Sequence, residues 1–198
     1  MEQVEDSVNQ VIMTLKSCYG DYLQIMRRFY TGEHVADDLV RLLHSWKYVL
    51  ERDAEALVAM RDNSMLKNID SKDPHTRAFW VELNHLVDLL MALTTIIDDE
   101  MQLVSGRNPK RMHTRMQKAF KKFDSRYERA STIFHHARVR WQQTGSGLDH
   151  EDNTPGMMAL QMTLKGFVVL LRLMGTIRDH ICRDEFLERR MTGSLYQR

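Results

Sequence analysis

The sequence predicts an all-α protein, an elongated bundle of about five helices that are mostly antiparallel. Apolar residues recur every three to four positions through five long segments, which is the period of an amphipathic helix. Each of the three prolines follows a residue that caps a helix N-terminus well, and five of the nine glycines fall where an apolar period stops. No convincing run of alternating polar and apolar residues competes, so we expect no β-sheet.

The first two helices are expected over about residues 4–30 and 34–62. Apolar side chains recur from Val4 to Phe29 in the first and from Leu39 to Leu57 in the second, at helical spacing. Gly32 stands between the two segments, where glycine commonly ends a helix. We therefore expect a tight connection and two antiparallel neighbours.

The third and fourth helices are expected over about residues 74–105 and 109–143. The pairs Asp73-Pro74 and Asn108-Pro109 mark their starts, because proline at the first helical position loses no intrahelical hydrogen bond. Gly106 marks the end of the third helix. These two starts and one end follow from backbone chemistry alone.

The fifth helix is expected over about residues 155–190, from the pair Thr154-Pro155 onward, and we expect it to be central in the bundle. Its first half is apolar on nearly all sides, which is typical of a helix surrounded by others. Gly166 and Gly175 are nine residues apart and hence on opposite faces. Glycine inside a helix costs about 1 kcal/mol relative to alanine, so each is expected to admit a closely packed neighbour.

The domain prediction is one helical bundle over residues 1–192, followed by a flexible tail over 193–198. The longest connections are 63–73 and 144–153, and the second is the better candidate for a mobile loop. From Arg178 onward the chain becomes charged, and we expect that end of helix 5 to project from the bundle. Its apolar residues, together with Trp141, are candidate anchors for a partner or a second subunit. These anchors are Trp141, Ile181, Phe186 and Leu187.

Composition predicts a globular, intracellular, cytoplasmic protein. Hydrophobic residues make up 43% and charged residues 28% of the chain, and the net charge is only +1. Cys18 and Cys182 are far apart and form no CxxC motif, which is typical of a reducing compartment. The N-terminus is acidic and does not resemble a signal peptide. The most apolar stretch is interrupted by Lys165 and Arg172, which favours a buried helix over a membrane span.

Helix 4 is unusually basic. Residues 107–142 hold eleven lysines and arginines against Asp124 and Glu128, an excess of nine positive charges, so the rest of the chain has a net charge of −8. The eleven are Arg107, Lys110, Arg111, Arg115, Lys118, Lys121, Lys122, Arg126, Arg129, Arg138 and Arg140. At 100° per residue, six of them share one face beside the apolar stripe: Arg111, Arg115, Lys118, Lys122, Arg129 and Arg140.

Two interpretations of this charge remain open. In the structural one, Asp98, Asp99 and Glu100 near the end of helix 3 neutralise the first cations of helix 4 across the turn. In the functional one, the face binds an anionic partner, and the cations with the least compensation nearby are expected to be Arg115, Lys118, Lys122 and Arg129. The whole candidate set for binding a partner or an anion is Arg111, Arg115, Lys118, Lys121, Lys122, Arg126 and Arg129.

The sequence predicts neither a catalytic residue nor a cofactor or metal site. It contains no phosphate-binding glycine loop, no nucleophile elbow and no HExxH motif. Glu82 and His85 form one Glu-x-x-His motif, but a carboxylate-bridged di-iron site needs two. His180 and Cys182, two residues apart on a helix, point in nearly opposite directions.

The leading hypothesis is a non-enzymatic helical adaptor or assembly protein that binds protein partners, including itself, through long helix faces. One alternative is a peripheral membrane or matrix-like scaffold that lays the basic helix 109–143 on anionic lipid. A further alternative is binding of nucleic-acid backbone through the same face, which the near-neutral total charge disfavours.

Overall fold

A computed structural model describes residues 2–68, 72–105, 109–143 and 155–191. Within these ranges the chain forms six α-helices and no strand, which confirms the all-α bundle. The helices are α1 (Glu2–Tyr30), α2 (Ala36–Asn68), α3 (Pro74–Ser105), α4 (Pro109–Gln143), α5 (Pro155–Ile181) and α6 (Asp184–Met191).

The predicted capping interactions are present at the end of α1 and at the start of α3. Asp73 accepts hydrogen bonds from the backbone N–H groups of His75 (3.2 Å) and Thr76 (2.8 Å), and also one from the Thr76 hydroxyl. These bonds, chiefly that from the Thr76 hydroxyl, lower the pKa of the Asp73 carboxyl. At the end of α1, Gly32 adopts a φ of 92°, a left-handed conformation that glycine reaches without steric cost. The chain thus turns sharply into α2.

Cross-helix contacts show that α1 to α4 alternate in direction. Thr14, in the first half of α1, donates a hydrogen bond to Asp53 in the second half of α2, whereas Arg28 near the end of α1 pairs with Asp38 near the start of α2. The same reversed order relates the next helices. The contacts are Lys47–Asp98 and Arg61–Asn84 between α2 and α3, and Glu82–Arg140 and Asp99–Lys122 between α3 and α4.

α5 lies at the centre of the bundle, where it packs against α1, α3, α4 and α6. A Cβ atom at Gly166 would stand 3.4 Å from Leu86 of α3 and 3.6 Å from Ile12 of α1. A Cβ atom at Gly175 would stand only 3.1 Å from the Tyr127 ring of α4. The predicted close packing is therefore confirmed at Gly175, whereas at Gly166 the distances are those of ordinary van der Waals contact.

The predicted fifth helix, 155–190, is in fact two helices. α5 ends at Ile181, and α6 starts at Asp184 with two acidic residues in its first turn, where they favour the helix dipole. α6 packs back on α4 and α5 instead of projecting from the bundle. The apolar Phe186 drives this return, because its ring is fully buried and lies 5.1 Å from the Phe29 ring.

The structure tests the first of the two predicted long connections but not the second or the tail. α2 continues to Asn68, so the connection predicted over 63–73 is shorter than expected. The predicted mobile loop 144–153 and the tail 193–198 lie outside the described residues.

Two helices, Pro74–Ser105 and Gly156–Ile181, are long and apolar enough to cross a membrane by length and composition alone. In each, 61% of the most apolar stretch is buried inside the bundle. Core helices of water-soluble bundles pass the same test, so this similarity to a membrane span is weak evidence.

Candidate anion-binding face on α4

The buried side of α4 fixes which of its residues face water. Met116, Phe123, Ala130 and Ala137 recur every seven residues and are all buried against neighbouring helices. This stripe packs the helix on α3, α5 and α6. The cations of α4 lie beside or opposite the stripe, so the helix presents them at its edges and on its outer face.

The basic row, defined as Arg111, Arg115, Lys118, Lys122, Arg129 and Arg140, runs along the edge of α4 next to α3. Two of its members have ion-pair partners there. Lys122 lies 3.0 Å from the Asp99 carboxylate, and Arg140 pairs with Glu82, whose side chain is only 1% exposed. These two cations hold α4 to α3, so Lys122 is better compensated than the sequence predicted.

Two further candidate cations make neutral contacts with α3. Arg115 donates a hydrogen bond to the side-chain oxygen of Gln102 at 2.6 Å. Arg126 is half-buried and donates to the backbone carbonyl of Ala92 at 3.5 Å. Arg115 keeps its charge at the surface, whereas Arg126 acts mainly in packing the two helices together.

Four candidate cations remain exposed and uncompensated: Arg111, Lys118, Lys121 and Arg129. Within the part of the chain that the structure describes, none of them lies within 4.0 Å of a carboxylate. From Arg111 to Arg129 the helix rises by eighteen steps of 1.5 Å, which is about 27 Å. This length is that of a docking edge and not of a small-molecule site.

The acidic end of α3 does not neutralise these four. Asp98 faces the other way and pairs with Lys47 of α2 at 2.9 Å, while Asp99 is engaged by Lys122. Glu100 is fully buried. Among the described side chains, the structural interpretation of the basic charge is thus supported for Lys122 and Arg140.

A shallow cleft of about 220 Å³ opens where α3 and α4 meet along the basic row. Arg115, Lys118 and Lys122 line it together with Asp99 and Gln102. The cleft is open to solvent and has one carboxylate among three cations. It can accept an anionic group, such as a carboxylate, from a partner surface.

The predicted interface anchors are used inside the molecule. Ile181 and Phe186 are each 0% exposed and belong to the central core, so they are not available to a partner in this fold. Leu187 is half-buried against Leu103 and Met116. Trp141 is half-buried on α4, with its indole N–H 3.2 Å from the Met157 sulfur. Trp141 also lines a surface groove.

Among the described residues, three buried polar side chains have identified neighbours inside the bundle. Asp53 accepts the Thr14 hydroxyl at 2.9 Å and pairs with Arg52 at 2.8 Å. His180 is buried between the rings of Tyr22 and Tyr30, each with its centroid 5.6 Å away. Glu82, the carboxylate of the Glu-x-x-His motif, is occupied by Arg140.

The start of α5 was predicted to be buried on nearly all sides, but its outer side is exposed. Met158 is 46% exposed, and Lys165 reaches solvent. The signal was present in the sequence, because Lys165 and Arg172 are seven residues apart and interrupt the apolar run on a single face.

The chain matches no known protein-family model, no curated protein and no solved structure. Its function is therefore argued from this geometry.

Proposed function

We propose that the chain is a non-enzymatic adaptor that binds an acidic surface of a partner protein along α4. The observation that carries this proposal is the set of four exposed cations, Arg111, Lys118, Lys121 and Arg129, that have no carboxylate partner among the described residues. Such a one-signed edge steers an oppositely charged partner and fixes its orientation. Intracellular, cytoplasmic localisation is part of the proposal.

The fold does not need these charges. α4 packs through its buried stripe, and its two ion pairs with α3 use Lys122 and Arg140. Exposed cations contribute little to stability, and a concentration of them on one edge raises repulsion without adding packing. Their placement is thus more economically explained by a partner than by folding.

A protein partner fits this edge better than a lipid bilayer does. Helices that lie on membranes insert large apolar side chains beside their cations. The exposed large apolar residues described in this chain are Met13, Tyr48, Val81, Met91 and Met158, and none of them is on α4. A nucleic-acid backbone is disfavoured by the overall charge of +1.

A second copy of the chain is one source of an acidic surface, because residues outside 107–142 carry a net charge of −8. Light scattering after size-exclusion chromatography tests this form of the proposal. A dimer that dissociates in the variant Lys118→Glu/Arg129→Glu is the expected result for self-association. A clean monomer at high concentration leaves only a different protein as the partner.

The test of the proposal uses fluorescein-labelled polyglutamate as the acidic probe. We expect Lys118→Glu/Arg129→Glu to weaken probe binding by about tenfold or more at low salt. The control variant Arg27→Glu/Arg77→Glu makes the same change in net charge at exposed positions of α1 and α3. Equal losses in the two variants would show that only total charge matters and would contradict the proposal.

Two additional probes separate the alternatives. Phosphatidylserine vesicles in a co-sedimentation assay test the membrane hypothesis, and a DNA duplex tests the nucleic-acid hypothesis. Binding to either that exceeds binding to polyglutamate, and that is lost in Lys118→Glu/Arg129→Glu, would replace the acidic protein with that partner.

A further inference from the structure

The outer side of α5 has a groove on each flank. One groove, of about 540 Å³, lies between α1 and α5, and the other, of about 340 Å³, lies between α4 and α5. Gln161, Lys165 and Val168 line both, so the two grooves follow a shared ridge of α5. We call this surface the α5 groove pair.

Apolar side chains form the floor and walls of the α5 groove pair. Ile12, Met162 and Val169 line the α1 side, whereas Phe134, Trp141 and Leu164 line the α4 side. Met158 stands at one end and is 46% exposed. Methionine and aromatic side chains adapt to apolar partners, and exposed apolar grooves commonly mark interaction sites.

The charged residues that line the grooves, within the described part of the chain, all have one sign. Lys16 of α1, Arg138 of α4 and Lys165 of α5 are exposed lining residues. No described aspartate or glutamate lines either groove, and none lies within 4.0 Å of these three cations. An occupant that complements this surface carries an apolar stripe and negative charge beside it.

We infer that the α5 groove pair binds an amphipathic helix of a partner protein, with apolar residues on one face and glutamates or aspartates on its flanks. From Met158 to Val169 the lining of α5 runs about 17 Å, or three helical turns. This is the geometry of helix-in-groove recognition, in which anchors spaced i, i+3, i+4 and i+7 enter the groove. Both grooves are open to solvent, unlike the enclosed pockets that hold small molecules.

This site is separate from the basic row. Phe134, Arg138 and Trp141 lie about 120 to 180° around α4 from Arg129, since each residue turns the helix by 100°. α4 therefore contributes one edge to each surface. The two surfaces can engage different partners at the same time, which is what an adaptor requires.

The test uses a labelled eighteen-residue helical peptide with leucines on one face and glutamates on the flanks, followed by fluorescence anisotropy. We expect Arg138→Glu/Lys165→Glu to weaken binding about tenfold or more. Arg27→Glu/Arg77→Glu serves as the matched control, because it makes the same change in net charge at exposed positions that line neither groove, and it should change the affinity less than about twofold. The basic-row variant Lys118→Glu/Arg129→Glu is measured in parallel and should weaken the peptide less than Arg138→Glu/Lys165→Glu does. A scrambled peptide of the same composition should bind about tenfold more weakly, because its leucines share no face.

Val168→Asp provides an independent variant, because it puts a carboxylate into both grooves at a half-buried surface position. It should weaken peptide binding as strongly as Arg138→Glu/Lys165→Glu does, while circular dichroism shows an unchanged fold. Absence of peptide binding, equal affinity for the scrambled peptide, or loss only in the basic-row variant would overturn the inference.

Two other occupants give distinct results that would also overturn it. Competition by phosphatidylserine vesicles for the peptide would assign the grooves to lipid. A dimer that is lost in Arg138→Glu/Lys165→Glu would assign them to a second copy of the chain. Neither result bears on polyglutamate binding by the basic row, so the proposed function stands or falls separately.

Discussion

α4 and α5 begin in the same way but differ in how much of their surface is packed against other helices. Both start at a proline and both are long, at 35 and 27 residues. α5 is packed by four other helices, and its glycines bring Leu86 and Tyr127 close to its backbone. α4 buries one stripe and holds its cations at the surface.

The difference separates the residues that the fold needs from those that are available for the proposed partner binding. Residues of α5 that face inward have no room to change, since protein interiors are close-packed. Arg111, Lys118, Lys121 and Arg129 of α4 are exposed and can be altered without loss of an ion pair among the described residues. The exceptions on α4 are Lys122 and Arg140, which have carboxylate partners on α3, and Arg115 and Arg126, which donate hydrogen bonds to α3.

The largest effect on stability is expected at Arg140. It tests whether this cation stabilises the fold, in contrast to the exposed cations of α4. Arg140→Met should lower the free energy of unfolding by about 3 kcal/mol, because it leaves the Glu82 carboxylate buried without its partner. Urea denaturation measures this change. Lys122→Met, beside the more exposed Asp99, should cost about 1 kcal/mol or less. Equal costs for the two variants would remove the distinction.

A smaller loss of stability is expected at Gly175, where α5 packs closely against Tyr127 of α4. Gly175→Leu should lower the free energy of unfolding by about 2 kcal/mol, because its side chain meets the Tyr127 ring at once. The control is Gly20→Leu in α1, where no atom lies within 4 Å of the new Cβ. There the higher helix propensity of leucine should raise stability by about 0.5–1 kcal/mol. A neutral Gly175→Leu would show that α4 and α5 pack loosely.

A weaker effect on stability is expected at low pH, from protonation of His180 near the end of α5. Burial lowers the pKa of His180 from its usual 6.5; a backbone hydrogen bond to Thr176 opposes this, and Arg183 adds to it. Below about pH 6.5 the unfolded chain therefore takes up this proton before the folded protein does, so stability falls as the pH decreases. His180→Phe should remove this part of the fall when unfolding is compared at about pH 7.5 and about pH 5.5. An unchanged acid dependence in the variant would contradict the assignment.

The smallest effect on stability is expected where the effect on binding is largest. Lys118→Glu/Arg129→Glu should change the free energy of unfolding by less than about 0.5 kcal/mol, because neither side chain has a carboxylate partner among the described residues. Thermal unfolding followed by circular dichroism measures this. A loss above about 1 kcal/mol would make these cations structural and would remove the division between α4 and α5.

The sequence predicted the starts of α3, α4 and α5 because proline and capping residues act locally on the backbone. It did not predict the break between α5 and α6, since no glycine or proline stands near Cys182 and the apolar period continues through Phe186. The chain breaks there because Phe186 finds a buried position against Phe29, which is 157 residues earlier. Such a contact leaves no local signal.

By itself, the sequence determined that the protein is a helical bundle, that α5 is central and that α4 is basic along one edge. The apolar periodicity and the number of charged residues are properties of each helix alone, so folding does not change them. Only the tertiary structure decided which cations stay unpaired, because pairing depends on how α3 and α4 are aligned lengthwise. That alignment sets Asp99 and Glu82 opposite Lys122 and Arg140 and leaves Lys118 and Arg129 facing water.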